Sequence, residues 1–144
     1  MEMRYPSHPE TVKHFSTQQL RDEFLIPTLF TDGAIKLVYS HIDRVITGGA
    51  CPTGAPLRLE GDPKELGADF FLQRRELGVV NVGGAGKIVV DGTSYPMQKL
   101  DGLYVGQGAQ EVCFESDGAA QPAHFYFVST PAHQPYPTTH IPLA

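Results

Sequence analysis

Apolar and polar residues alternate in short runs along most of this chain, with the period of two that sends successive side chains to opposite faces of a strand. Such runs occupy 35–40, 44–47, 56–60, 70–72, 77–82, 86–90, 103–105, 112–115 and 124–129, and turn residues separate them. Gly48-Gly49 is expected to close the second run, 83–86 forms a glycine-rich turn, and Asp91-Gly92 is a two-residue hairpin signal. Helical signals are few. Ser16 with Gln19 three residues later makes a capping box for a short helix that stops before Pro27, and Asp62-Pro63 starts a single turn. Regular spacing of short strands predicts an all-β sandwich or barrel, with Val79, Val80, Val82, Ile88, Val90 and Phe125 expected in its core. The reading divides the chain into an N-terminal arm with a short helix (1–27), a barrel (28–130) and an extended tail carrying four prolines (131–144).

Composition narrows the partners. At 144 residues the chain matches one domain with one core. Fifteen Gly and twelve Pro fit many strands joined by tight turns. A net charge of −5 with only eleven Lys and Arg argues against nucleic acid as a partner. No apolar run approaches the ~20 residues of a membrane helix, and residues 1–10 lack the apolar centre of a secretory signal, so a cytoplasmic protein is expected. Cys51 and Cys113 then read as free thiols in a reducing compartment.

The stretch 69–111 resembles a cupin barrel stripped of its metal ligands. Cupins carry a His-x-His pair shortly before a Glu, then a Gly after six intervening residues; here Glu76 and Gly83 keep that spacing. The His positions hold Asp69 and Phe71, or Phe70 and Leu72, and Glu111 stands where a later His belongs. Two carboxylates do not supply the three or more converging donors that zinc, iron or nickel requires. The expectation is therefore a double-sheet jelly-roll of cupin type, with no metal residues and no cofactor of its own.

Candidate binding groups follow from residue chemistry. Arg74 and Arg75 beside Glu76 offer planar donors for a carboxylate, and the alternative is internal pairing of one Arg with Glu76. On strict alternation Arg74 and Glu76 share a face that Arg75 opposes, which points Arg74 inward. His41, Asp43 and Arg44 cluster at a strand boundary, where they suit either proton handling or a structural pair. Tyr104 and Glu111 complete the candidate list. His124, His133 and His140 do not follow a zinc spacing.

Residues 39–49, 71–86 and 103–109, together with 19–25, Pro131-Ala132-His133 and Tyr136-Pro137-Thr138, resemble the N-terminal half of the 5-keto-4-deoxyuronate isomerases. That resemblance implies a two-cupin isomerase of pectin and alginate breakdown that moves a carbonyl in a uronate-derived sugar acid. It implies a chain about twice as long, assembly as a homo-oligomer (a hexamer in the family), and a zinc site in the second half. A free-standing sugar-acid-binding or assembly cupin is the alternative.

Overall fold

In the computed structural model, which describes residues 1–143, most of the predicted runs become strands of two facing sheets. The elements in chain order are β1 (Glu2–Arg4), α1 (Pro9–Val12), α2 (Thr17–Phe24), β2 (Ile35–Ser40), β3 (Ile46–Ala50), β4 (Leu57–Arg58) and α3 (Pro63–Leu66). They continue as β5 (Arg75–Asn81), β6 (Gly86–Val90), β7 (Thr93–Met97), β8 (Gly102–Val105), β9 (Val112–Ser116), β10 (Phe125–Pro131) and β11 (Thr139–Ile141). One sheet runs β1-β2-β3-β10-β5-β8-β11 and the other β4-β9-β6-β7. Pairing β3 with β10 and β5 with β8 in one layer, and β4 with β9 and β6 with β7 in the other, is the alternation of a jelly-roll. The chain is thus an all-β jelly-roll, with α2 started by the Ser16–Gln19 capping box.

The phase of the central strands fixes the interior. Leu77 and Val79 on β5 and Phe125 and Phe127 on β10 point between the sheets and are essentially unexposed. Phe114 from the opposite sheet lies 5.6 Å from the Phe127 ring centroid, nearly parallel, and 5.2 Å from that of Phe125. Ile88, Val90, Met97 and Leu103 close the core around these rings. Val80 and Val82 take the other phase: they are 37% and 39% exposed, so the core assignment is corrected at both. In a run of consecutive valines, composition does not select the inward face; the flanking Leu77 does.

Two further readings change. Residues 70–72 form a turn rather than a strand, although Phe71 and Leu72 are buried beneath it. Gly48 and Gly49 do not end a strand but lie inside β3. A Cβ at Gly48 would fall within the Phe127 ring, and one at Gly49 would press on the Leu29 carbonyl at 2.6 Å. Their bareness lets β3 pass beneath the aromatic stack.

Buried polar groups join the loops to this core. Asn81, fully buried at the end of β5, donates to the carbonyls of Gly84 and Met97. Its own side-chain oxygen accepts from the Gly83 and His124 amides. The tail, read from sequence as an arm without periodicity, contains β11, which pairs antiparallel with β8. Asp101 anchors it: Oδ1 accepts from the Leu143 amide and Oδ2 from the Gln98 amide, each at 2.8 Å.

Val80→Asp is expected to shift stability by less than about 1 kcal/mol, whereas Val79→Asp, which buries an unpaired charge, costs several, on the order of 3 kcal/mol or more. Urea unfolding of the two variants checks this, and equal losses would overturn the assigned phase. The Leu143 and Gln98 amide bonds, in that order, hold the Asp101 carboxyl below its ordinary value of 3.8, with His140 adding to the effect. A depressed folded value means the anchoring is complete above the ordinary value and is lost as pH falls through the depressed one. Acidification from neutral pH through and below the ordinary carboxylate value should therefore move the Leu143 amide resonance towards its random-coil position before the barrel unfolds. A Leu143 signal that follows global unfolding would contradict that anchor.

Candidate functional site

Arg75 is the most unusual side chain in the molecule, because it begins β5 in the same phase as Leu77 and Val79 and is buried with them. Arg74 precedes the strand and is exposed, so the inward assignment from alternation is reversed. Register counts from the apolar residues of the strand, and Arg74 lies outside it. The Arg75 guanidinium donates from Nε to Ser129 Oγ at 3.1 Å, and from Nη2 to the carbonyls of Ser129 at 2.8 Å and Arg44 at 2.5 Å. Ser129 Oγ in turn donates to the Glu76 carbonyl. All these acceptors are neutral. Burial lowers the Arg75 pKa; the Tyr39 phenol opposes that shift and the Arg44 charge adds to it. Tyr39 also presents its ring 5.9 Å from the guanidinium carbon.

Around this cation the β2–β3 turn is folded tightly. Asp43 and Arg44 both adopt left-handed backbone, with φ of 53° and 56°, a conformation that costs energy for residues with side chains. The Arg75 bond to the Arg44 carbonyl holds that turn. Both turn residues are exposed, so the Arg44 side chain reaches solvent. His41 stacks on Tyr5 at 4.4 Å, with planes 8° apart, and meets the Tyr39 ring edge-on at 5.0 Å. One mouth of the barrel therefore carries His41, Arg44, Arg75 and two tyrosines.

The other candidates lie elsewhere. Glu76 points to the outer face of the large sheet, where its Oε2 accepts from the Tyr104 hydroxyl at 2.8 Å. Burial, followed by that Glu76 contact, pushes the Tyr104 pKa up to about 12. The phenol is thus a hydrogen-bond donor at neutral pH. Glu111 is exposed just before β9, 3.4 Å from Arg58 Nη1. The seven predicted residues therefore divide among the mouth, the outer face, the β9 approach and exposed Arg74. Tyr5, Tyr39 and Ser129 escaped the sequence reading. Ser129 left a signal, being the polar member of the inward series Phe125, Phe127, Ser129.

The barrel interior does not fit a metal. The inward positions facing one another across it are Phe114, Phe125 and Phe127, while Glu76 and Glu111 point away from it. Among the described residues, no three His, Cys, Asp or Glu side chains are grouped to hold an ion. Cys51, raised to about 11 by burial and by its contact with Asp32, stays a thiol.

No family model matches the chain. The 4-deoxy-L-threo-5-hexosulose-uronate ketol-isomerase of Lacticaseibacillus paracasei is 53% identical over 144 residues, which is 100% of this chain and 51% of that protein. The enzyme of the same name from Lachnoclostridium phytofermentans is 53% identical over 142 residues, 98% of this chain and 51% of its own. That from Halalkalibacterium halodurans is 49% identical, with 99% and 51% covered. Among solved structures, a cupin protein from Bacteroides fragilis overlays with a TM-score of 0.46 at 16% identity, over 66% of this chain and 72% of that one. The chain spans about half the length of the curated relatives it matches. With identity near one half sustained from end to end, the chain matches along its whole length the N-terminal half of the proteins named 4-deoxy-L-threo-5-hexosulose-uronate ketol-isomerase.

Proposed function

We propose that the chain serves as the N-terminal half of a ketol-isomerase interconverting 4-deoxy-L-threo-5-hexosulose uronate and 3-deoxy-D-glycero-2,5-hexodiulosonate, in the breakdown of pectin and alginate. The observation that carries this reading is identity of 53% along the whole chain to a protein of that name. Moving a carbonyl to the neighbouring carbon requires a base for the intervening proton and an electrophile for the enediolate oxygen. The barrel interior, filled by phenylalanines, offers neither. On this proposal a zinc ion held by the second half supplies the electrophile, and the full-length protein is a cytoplasmic homo-oligomer.

What this half contributes is charge at the barrel mouth. Arg75, buried among neutral acceptors, and Arg44, exposed beside it, make a cationic rim next to the His41 ring, suited to the carboxylate of a uronate. Arg75 also supports the left-handed turn that presents Arg44, so it acts as a positioning residue for the exposed side chain. The filled interior favours one second reading, a non-catalytic sugar-acid-binding or assembly module.

Four measurements test this. The 144-residue chain should hold less than one zinc per molecule by elemental analysis, and tightly held stoichiometric zinc would sink the assignment of the metal to the other half. Joined to the remaining half of the L. paracasei relative, the chain should isomerise the uronate, while alone it should not. Turnover by the chain alone would refute the division of labour, and an inactive joined protein would leave the binding-module reading. In the joined protein Arg44→Gln should raise KM about tenfold, the loss of one charged contact of roughly 1.5 kcal/mol, at unchanged melting temperature. Arg75→Lys, losing the fork that ties Ser129 to Arg44, should destabilise the 144-residue chain by about 2 kcal/mol.

A further inference from the structure

The outer face of the large sheet carries an apolar groove that the proposed chemistry does not use. It holds a cavity of about 520 Å³, floored by Val80 and Tyr104, with Leu100 on one side and Ile141 and Leu143 of the arm on the other. Leu100, Ile141 and Leu143 are 50%, 57% and 62% exposed. Tyr126, paired with Val80 across β10 and β5, extends the patch. Isolated exposed apolar residues are ordinary, but several meeting in one concavity mark a contact surface.

Three observations select the occupant. β11 is the edge strand here, and Pro137 and Pro142 flank its three residues, so continuation of the sheet by another strand is disfavoured and the face is left as the docking surface. The relatives carry about as much chain again as this one. The arm that would lead to that second half builds one wall of the groove, fixed there by β8 and by the Asp101–Leu143 bond. A free partner needs roughly 800 Å² per side for a stable interface, which this handful of side chains does not approach. A covalently joined domain acts at an effective concentration near millimolar, so a small apolar patch suffices.

We infer that this groove seats the second half of the isomerase, folded back along the arm so that an apolar projection from it fills the space between Val80 and Leu143. The inference rests on the reading of this chain as one half of that enzyme. It assigns the Asp101 anchor a purpose, since releasing Leu143 would remove a wall of the seat.

The test compares the 144-residue chain with the same chain joined to the remaining half of the L. paracasei relative. Amide exchange at 78–82 and 100–104 should slow at least tenfold in the joined protein. Val80→Lys should lower the melting temperature of the joined protein by several degrees and restore fast exchange, yet leave the melting temperature of the 144-residue chain unchanged. Ile42→Lys, on an exposed apolar residue outside the groove, should do neither. Exchange and melting of the joined protein that ignore Val80→Lys would overturn the inference. So would concentration-dependent protection of the groove in the 144-residue chain alone, which would make a second copy the occupant. Protection without isomerase activity would retain the seat and reject the enzymatic reading, so the two fail separately.

Discussion

Three phenylalanine rings decide most of what this molecule is. Phe114 faces Phe125 and Phe127 across the gap between the sheets, and the space in which the barrel would receive a ligand is occupied by their stacking. The inward phase of β10 follows from Phe125 and Phe127, that of β5 follows through their register with Asn81 and Val79, and the bareness of Gly48 follows from the ring above it. Truncation of a buried Phe typically costs about 3–5 kcal/mol, comparable to much of the stability of a small domain. The same packing that holds the fold thereby moves any chemistry to the rims and outer faces.

At one rim the fold accepts a cost. Arg75 is a buried cation satisfied by a hydroxyl and two carbonyls rather than by a carboxylate, and it supports a turn whose two central residues are left-handed without being glycine. Local rules broken together at one place, with a compensating contact, are more typical of a functional rim than of a framework. Asn81 offers the contrast: it is also buried, but its amide is satisfied on both sides by backbone of the 83–84 turn, the end of β7 and the approach to β10, and it simply ties these segments together.

Much of the fold was legible from alternation, and the capping box at Ser16 and the hairpin at Asp91-Gly92 formed as read. The failures share a cause. Val80 and Val82 share one apolar run with Val79, and Arg74 shares a phase with Glu76, and in both cases period two gives the faces but not which one is inward. Gly48 and Gly49 look like punctuation until the Phe127 ring is known to lie over them. β11 was hidden by its prolines, because three residues are too few for a period. Of the candidate site, alternation already sets Arg75 and Glu76 on opposite faces, but which of the two points inward, and that Tyr104 shares the outer face with Glu76, required the sheet.

Residues 2–4 and 139–141 lie on the two outer edges of the same sheet, the first parallel to β2 and the second antiparallel to β8. During synthesis these edges close at very different times. β1 emerges before its partner and waits some thirty residues for β2, a short loop by the logarithmic cost of closure. The edge of β8 stays open until residue 141 has left the ribosome, some ten residues after β10, the partner of both β3 and β5, is complete. A nascent chain paused in the proline-rich stretch after 131 would therefore display an unsealed strand beside an apolar face, the arrangement most prone to mispairing with a neighbouring chain.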